Sequence, residues 1–593
     1  MIVANPSSTA ITDGTLPTPT HPERPASRTP HMANTTRARR GVPTLLAAVG
    51  GVLATLVGMA VGHLVASLLD PAASPVLAVG STVIDATPTP VKEWAVAEFG
   101  TADKPILIGS VMVVTLILAG IAGIRARTHF RQGLAILLVL VALAGAAALI
   151  RPTAGPLDVV PALVTALVGA LALAWFMRTL NEAVALQSGA HSGAPTATTP
   201  GTTDKTEGAA PSHPMVDATP GETAPAGGAH AATDTDPAPA RGGRPTRRGV
   251  LVASGVLAVT AVAAGAVGQW IGNVRTRISD IVLPKPQDPA AALPDALDVD
   301  GISPFRTPND EFYRVDINLT VPVVDQDEWT LTIDGDVDNE VTITWDELLD
   351  MPMVERDITM TCVSNDVGGK YVGAARWLGV PLQDILDLAG VGGSADQLLS
   401  TAVDGFTIST PLEVATDGRD ALVVVGMNGE PLPREHGFPV RLIIPGIYGY
   451  VGSTKWLTKL TLTTYDDVDS YWTERGWATE GPIKISSRID VPRAGDEVSS
   501  GSTVIAGVAW AQQRGVDVVE IQIDGGPWTP VEMGPDAGVD YWRQWYYEWE
   551  AETGSHAVTV RVTDSEGEVQ TDARAMPFPN GSSGLHTRRI IVS

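Results

Sequence analysis

Long uncharged apolar runs alternate with short charged segments through the first half of the chain. Four such runs occupy residues 41–69, 105–124, 133–150 and 159–177, and a fifth follows Arg248. Each approaches or exceeds the about 20 residues that cross a bilayer as a helix. Polar residues at helical spacing, which a water-soluble bundle needs, are missing from them. The pattern predicts a four-helix transmembrane region at residues 41–178 and a fifth transmembrane helix at residues 249–274.

The charges between these runs predict their orientation. Arginines precede the first run and follow the second and fourth runs: Arg37, Arg39, Arg40, Arg125, Arg127, Arg131 and Arg178. The loop between the first two runs is acidic instead, and its residues 75–84 are apolar but too short to cross. By the positive-inside rule, we expect a multi-pass protein of the cell membrane with a cytoplasmic N-terminus. Everything after residue 274 is then extracytoplasmic.

Two polar stretches flank the four-helix region. Residues 1–40 and 179–248 are rich in Pro, Thr, Ala and Gly and poor in large apolar side chains, which predicts a disordered cytoplasmic N-terminus and a disordered linker. Arg247 and Arg248 precede the fifth run. Such a pair resembles a twin-arginine export signal, and it equally fits a positive-inside anchor, so both interpretations stay open.

The second half alternates with the short period of strands. Apolar and polar residues alternate at residues 329–333 and 341–344, and further strands are predicted at residues 421–425, 440–444 and 460–464. Short helices are predicted after Thr344, which has capping-box spacing to Glu347, and after Pro381. The sequence therefore predicts a mixed α+β domain at residues 295–470.

From residue 480 to 593 no helical period is present. Strands are predicted at residues 503–508, 516–523, 541–549 and 557–562, separated by Gly-containing turns. This spacing is typical of an immunoglobulin-like β-sandwich. One strand carries an aromatic row, which either packs in the core or forms a protein–protein interface: Tyr541, Arg543, Trp545, Tyr547 and Trp549.

Charge and cysteine content exclude several functions. The 593-residue chain has a formal net charge of −26, which argues against nucleic-acid binding. Its one cysteine, Cys362, excludes an intrachain disulfide, a c-type haem attachment, an Fe–S cluster and a Cys-based zinc cluster. His63 is the one histidine inside a predicted transmembrane run. A bis-His haem needs two histidine ligands, so no haem is predicted.

The sequence around Cys362 is typical of a ligand-binding loop. It follows a predicted strand and enters a loop of Asn365, Asp366 and the paired glycines Gly368 and Gly369, where backbone can approach a ligand closely. A lone cysteine is most often a small buried hydrophobe. A thiolate is also a soft metal ligand.

Several ordered motifs resemble the sulfite-oxidase-like molybdenum-cofactor (molybdopterin) oxidoreductases, in their membrane-anchored bacterial form. In the α+β domain they are FYR at 312–314, TCVSN at 361–365, RWLGV at 376–380, HGFPVR at 436–441, PG at 445–446 and KW at 455–456. In the last third they are GVAW at 507–510, DGG at 524–526 and WRQW at 542–545, which resemble that family's immunoglobulin-like dimerisation domain. The resemblance covers about residues 300–593.

The resemblance implies a set of site residues. Cys362 is implied as the protein thiolate on molybdenum, and Arg314 as a catalytic-pocket arginine. The cofactor-binding residues implied are Phe312, Tyr313, Asn365, His436, Arg441, Ser453, Thr454 and Lys455. Arg and Lys side chains with backbone N–H groups suit a pterin phosphate. Arg514 is a weaker candidate for the substrate pocket, and the alternative for Arg314 is a surface salt bridge with Asp316.

The implied function is two-electron oxygen-atom transfer on a small-molecule oxyanion or oxide, with an external electron-transfer partner and a homodimer through the last domain. Asp366 and Val367 stand where sulfite oxidases carry two arginines, so sulfite itself is in question. The family's pocket tyrosine has no obvious match near Phe406. The alternatives are a sulfoxide or N-oxide reductase of the same fold, such as a methionine sulfoxide reductase, and a cofactor-free binding module.

Overall fold

The computed structural model describes residues 33–88, 91, 94, 95, 98, 99, 102–189, 247–274 and 281–593. The predicted disordered N-terminus lies outside the described residues up to residue 32, but its last part is helical, since the first helix begins at Ala33. Once a helix is nucleated, each added residue gains one backbone hydrogen bond. The predicted linker is shorter at both ends, because helix continues to Gly189 and resumes at Arg247, and residues 190–246 lie outside the described residues.

Six helices make up the described part of the N-terminal region. They are α1 (Ala33–Leu68), α2 (Pro75–Ala86), α3 (Asp103–Thr128), α4 (Phe130–Ile150), α5 (Val160–Gly189) and α6 (Arg247–Val274). Five of them are long and apolar enough to cross a membrane, and the short α2 is not. These five coincide with the five runs predicted from the sequence.

Helix α1 is the centre of this bundle. It packs against α3, α5 and α6, and its contact face is built from small residues such as Ala47 and Ala54, both fully buried. Small side chains let helix backbones approach closely, which favours helix association in lipid. Phe176 and Leu173 of α5 fill the remaining space and are also fully buried.

The α+β domain contains two five-stranded sheets. Its strands are β1 (Thr330–Gly335), β2 (Val341–Thr344), β3 (Val354–Thr361), β4 (Val372–Pro381), β5 (Gln397–Ala402), β6 (Thr407–Pro411), β7 (Leu422–Met427), β8 (Glu430–Pro431), β9 (Arg441–Ile443) and β10 (Leu457–Thr463). Its helices are α7 (Trp345–Asp350), α8 (Leu382–Ala389), α9 (Leu412–Ala415) and α10 (Gly449–Gly452). One sheet has the order β2-β1-β10-β5-β6, and the other runs β3-β4-β7-β8 with β9 paired to β7.

Local sequence signals explain the two longest of these helices. Thr344 Oγ1 accepts from the backbone N of Glu347, and the Glu347 carboxylate accepts from the backbone N of Thr344, which is the predicted capping box at the start of α7. Helix α8 buries Leu382, Ile385 and Leu386 on one face. It ends where Gly390 adopts φ 71°, a conformation that glycine tolerates.

The last eight strands form two antiparallel four-stranded sheets. They are β11 (Ser486–Val491), β12 (Gly501–Trp510), β13 (Val516–Ile523), β14 (Thr529–Pro530), β15 (Glu532–Met533), β16 (Arg543–Ala551), β17 (Gly554–Asp564) and β18 (His586–Val592). Their orders are β11-β12-β16-β15 and β14-β13-β17-β18. Apolar residues of both sheets share one core, including Ile489, Ile505, Val519 and Val560. The predicted fold class, transmembrane-type helices followed by an α+β domain and a β-sandwich, is confirmed.

The aromatic row of β16 packs in the core. Trp545 and Trp549 belong to the sandwich core, while Tyr541 joins the core of the α+β domain. The neighbouring Trp542 donates through Nε1 to the Phe305 carbonyl at 2.7 Å. Core packing is therefore the structural role of these rings, and the two domains share a buried contact.

Candidate active site

Cys362 lies directly after β3. The loop that begins with it leads into the neighbouring strand β4. The Cys362 backbone N donates to the Tyr371 carbonyl at 2.9 Å, and the Tyr371 backbone N donates to Asn365 Oδ1 at 2.8 Å. These two bonds fix the loop between the strands. The thiol is 8% exposed and faces a cavity.

Burial controls the protonation of this thiol. Desolvation raises the pKa of Cys362, while hydrogen bonds from Ser364 and the charge of Lys455 partly oppose the rise. A free thiol in this position is therefore protonated at neutral pH. A bound soft metal ion would displace that proton, because coordination deprotonates a thiol.

His436 and Arg441 flank a tight backbone turn. Gly437, between them, adopts φ 114°, and a Cβ there would lie 3.0 Å from Lys455 Cα. His436 Nε2 lies 2.7 Å from the Asn309 carbonyl, which makes Nε2 the protonated nitrogen. Burial lowers the pKa of His436 to about 4, and the charges of Arg441 and Lys455 add to this, so the imidazole is neutral at pH 7.

Arg441, the first residue of β9, is a buried cation that lacks a carboxylate partner among the described residues. It is 5% exposed. Its Nη1 donates to the His436 carbonyl at 3.0 Å and its Nη2 to Ser453 Oγ at 2.6 Å. Its Nε is buried and makes no hydrogen bond to any described group. Burial lowers the pKa of Arg441 to about 10, so the side chain keeps its charge and an unused donor.

A second charged group on the cavity is centred on Asp316. Its carboxylate is 4% exposed and pairs with three cations: Lys104 at 2.7 Å, Arg314 at 2.8 Å and Lys455 at 2.8 Å. Burial alone would raise the pKa of Asp316, but the charges of Lys455 and Lys104 and the hydrogen bond from Arg314 outweigh it and hold the pKa far below its ordinary value. Asp316 is therefore ionised.

Lys455 is a cation whose pKa these surroundings lower. Burial lowers the pKa of Lys455 to about 8, with Asp316 opposing the shift and Arg441 and Arg314 adding to it. Its Nζ also donates to the Glu435 carbonyl at 3.2 Å. At neutral pH the ammonium is charged, and Lys455 lines the cavity together with Asp316.

Aromatic side chains hold these charged groups in place. Phe312 stacks on Tyr313, with ring centroids 5.2 Å apart, and meets His436 and Trp377 edge-on. Burial raises the pKa of the Tyr313 hydroxyl far above its ordinary range, so it stays a neutral donor. The Arg441 guanidinium lies 5.3 Å from the ring centroid of Trp377, a cation–π contact.

The cavity itself has a volume of about 530 Å³. It brings together eight of the predicted site residues: Phe312, Tyr313, Arg314, Cys362, His436, Arg441, Ser453 and Lys455. Arg314 lines the cavity and also pairs with Asp316, but that carboxylate is buried rather than on the surface. The rest of the wall is largely aromatic and aliphatic, and it includes Phe406, Tyr471 and Trp472.

Three predicted residues are placed differently. The Thr454 side chain is fully buried, and its hydroxyl lies 2.5 Å from that of Ser400. Asn365 acts on the loop through Tyr371 rather than on the cavity. Arg514 pairs with Glu568 at 2.7 Å and Asp564 at 3.2 Å and is absent from the described lining, so its assignment to a substrate pocket has no support in this geometry.

Sequence reasoning missed three contributors. Asp316 entered only as a possible surface partner of Arg314, although it is a buried hub. Lys104 is more than 200 positions away in the sequence and belongs to the helical region, so no local pattern connects it with Cys362. Tyr371 also was not predicted, and it supplies a phenol on the lining beside the predicted Tyr313.

Comparison with known proteins gives these residues a context. Residues 318–472 match the oxidoreductase molybdopterin binding domain. The chain is 28% identical over 325 residues to the mitochondrial sulfite oxidase of Homo sapiens, covering 46% of this chain and 58% of that protein. It is 33% identical over 180 residues to an NADH nitrate reductase of Brassica napus, covering 26% and 20% respectively.

A solved structure is similar over half of the chain. The sulfane dehydrogenase SoxCD from Paracoccus pantotrophus aligns with a TM-score of 0.44 and 21% identity, covering 50% of this chain and 82% of that chain. The chain spans a little over half the length of the mammalian sulfite oxidases that it matches. Residues 318–472 thus match a molybdopterin-binding oxidoreductase domain, and the C-terminal half of this chain is similar to the sulfite oxidases.

Proposed function

We propose that this protein is a membrane-anchored, extracytoplasmic molybdenum-cofactor enzyme that catalyses two-electron oxygen-atom transfer. The observation that carries the proposal is the pairing, on one cavity, of the chain's only thiol with a buried arginine that no described carboxylate neutralises. A soft metal and an anion are what these two groups bind best.

The residues present fit a molybdenum–pterin cofactor. The Cys362 thiolate would ligate the metal. The orphaned Nε of Arg441 is a donor that a phosphate oxygen would satisfy, with Ser453 and Lys455 as neighbouring donors. An unpaired buried donor is costly, and a bound anion removes that cost.

When bound, the molybdenum centre supplies the oxygen-atom exchange, as cofactors carry such chemistry in general. The chain's own residues bind and orient. Neutral His436, pinned to Asn309 through Nε2, presents Nδ1 as a hydrogen-bond acceptor. Arg314 and Lys455 hold positive charge beside the cavity, while Tyr313 offers a neutral hydroxyl. The aromatic wall excludes water, which strengthens each of these polar contacts.

Two classes of substrate fit the lining of the cavity. An anionic substrate such as sulfite suits the cations on the lining, and oxidation of that class is our first candidate. The alternative is reduction of a sulfoxide or N-oxide. It is favoured by the apolar rings of Phe406 and Trp472 on the wall and by Asp366 and Val367 in place of the expected arginines.

The two ends of the helical bundle support an extracytoplasmic α+β domain, because the arginines and the domain lie at opposite ends. Arginines lie in the last turn of α3, in the second half of α5 and at the start of α6. The α+β domain contacts the other end, through α2, the start of α3 and the turn after α4. We further propose an external electron-transfer partner and a homodimer through the β-sandwich. Both rest on the family resemblance.

The deciding experiment is metal analysis of the full chain purified in detergent from a cofactor-competent host. We expect about one molybdenum and one pterin per chain, and a changed Mo(V) resonance in Cys362→Ser. Sulfite oxidation and methionine sulfoxide reduction are then assayed on the same sample. A folded wild-type chain without metal would contradict the proposal and support a cofactor-free binding module.

A further inference from the structure

The helical region and the α+β domain meet at the cavity. The Lys104 ammonium, at the start of α3, donates to Asp316 Oδ1 and to the Asp316 carbonyl, both at 2.7 Å. Ile84 and Thr87, at the end of α2, and Leu107, one turn into α3, also line the cavity. The wall opposite the molybdopterin-binding domain is therefore supplied by the helices.

Further contacts join the helices to the domain. The Tyr471 hydroxyl donates to Asp85 Oδ1 at 3.4 Å. A Cβ at Gly80 would lie 2.5 Å from Leu319 Cδ1, and one at Gly405 would lie 2.8 Å from Pro152 Cβ. Surfaces this close leave no room for water, so the helices cover the domain by direct packing.

Lys104 decides the sign of the charge on the described lining. The cations there are Lys104, Arg314, Arg441 and Lys455, and the carboxylates are Asp103, Asp316 and Asp404. His436 is neutral, as argued above. The lining therefore carries one net positive charge, and it would carry none without Lys104. Because Lys104 shares Asp316, that carboxylate neutralises less of the charge on Lys455 and Arg314.

We propose that the helical region is part of the active site, with α2 and α3 closing the cavity over Cys362 and Lys104 completing an anion-binding wall for an anionic substrate. This inference rests on the proposed function for the identity of the site. It gives the N-terminal helices a task beyond anchoring, and it makes Lys104 a specificity-determining residue that comes from outside the molybdopterin-binding domain.

Sulfate binding to the full chain tests the anion-binding wall. Sulfate is a non-reacting oxyanion, and calorimetry at low, fixed ionic strength measures its affinity. We expect Lys104→Met to weaken binding about tenfold, since charge-assisted hydrogen bonds are the strong ones, and Lys104→Arg to restore it. Lys459→Met is the matched control: Lys459 also pairs with an aspartate, Asp334, at 2.6 Å, but it lies outside the described lining.

Cys362 reports closure independently, because it is the chain's only cysteine. In full chain produced without cofactor, we expect Lys104→Glu, which repels Asp316, to raise the rate of maleimide labelling severalfold, and Lys104→Arg to leave it low. Equal sulfate affinity in wild type and Lys104→Met, absence of sulfate binding to wild type, or an unchanged labelling rate in a folded Lys104→Glu variant would overturn the inference. Molybdenum content separates this failure from failure of the proposed function.

Discussion

Arg441 is a buried cation that no described carboxylate neutralises, whereas Asp316, on the same cavity, is a buried carboxylate held by three cations. The first group keeps an unsatisfied donor, Nε. The second is saturated, and its partners come from three separate segments, one of them in the helical region. Both groups are removed from water, so the difference lies in their partners.

This difference separates two uses of buried charge. A buried ion without a partner destabilises the fold unless a ligand supplies the counter-charge. Arg441 is therefore the group that the proposed anionic cofactor would neutralise. The Asp316 group is complete within the chain, so its expected contribution is to join the helices to the domain and to set the charge of the wall.

Replacing Arg441 should give the largest effect of all. In Arg441→Met we expect the pterin and molybdenum per chain to fall at least about tenfold, because the phosphate loses a buried charged donor. The melting temperature of the cofactor-free protein should stay level or rise, since an unpaired buried charge disappears. Metal analysis and thermal melting measure the two quantities.

Arg441→Lys serves as the companion variant, since it keeps the charge and loses the fork of donors. It should retain part of the cofactor. Full cofactor content in Arg441→Met would show that this arginine has no ligand role, and the contrast with Asp316 would then disappear.

Replacing Asp316 should give the reverse pattern. Asp316→Asn leaves three cations without their common counter-ion, and breaking a buried ion pair on one side costs about 3–5 kcal/mol. We expect a lower melting temperature of the full chain together with tighter sulfate binding, because the net charge of the lining rises. Asp334→Asn, at the more exposed pair with Lys459, should change stability by no more than about 1 kcal/mol.

Stability and sulfate affinity must move in opposite directions for this contrast to hold. A parallel loss of both in a folded Asp316→Asn variant would mean that the carboxylate positions the cations for the ligand rather than neutralising them.

The sequence pointed to the position of Arg441 on the cavity but not to that of Asp316. The HGFPVR motif and the thiol loop are local, and each is organised by neighbours a few positions away, such as Gly437 or Asn365. Helix α7 and strand β13 were likewise predictable, because capping and alternation are short-range signals. The five apolar helices followed from their length and hydropathy alone.

The Asp316 group depends on chain segments that no short-range pattern relates. Lys104 looked like one of two lysines in an acidic loop, and its packing against Asp316 follows only from how the helices seat on the domain. The prediction that Thr454 binds the cofactor fails for another reason. Its neighbours Ser453 and Lys455 line the cavity, but the Thr454 hydroxyl points to Ser400 instead. Arg514 was a weak candidate from the family resemblance alone, and it pairs with two carboxylates of the sandwich, Asp564 and Glu568.

Lowering the pH tests the same comparison through a smaller effect on stability. The cations hold the pKa of Asp316 far below the ordinary value of about 3.9. The ion group therefore contributes stability that is fully present above pH 5 and is lost as pH falls below about 4. The difference in melting temperature between wild type and Asp316→Asn should stay constant from pH 7 to 5 and shrink below pH 4. A constant difference down to pH 3 would contradict this assignment.

Alkaline pH gives the smallest expected effect and concerns the cation shared by both settings. Lys455 faces Asp316 and also feels Arg441, and burial lowers its pKa to about 8. The ammonium is charged below that pH and neutral above it, so sulfate affinity should fall as pH rises from 7 to 9. We expect a change of about threefold, because Asp316 already compensates part of the charge and salt screens the remainder.

His436 is neutral throughout this range, and the pKa values of Cys362 and Tyr313 are raised, so we assign the expected change to Lys455. Lys455→Arg should flatten the profile, since arginine keeps its charge. If the wild-type affinity is already flat between pH 7 and 9, Lys455 does not contribute its charge to the ligand, and it belongs wholly with the saturated group around Asp316.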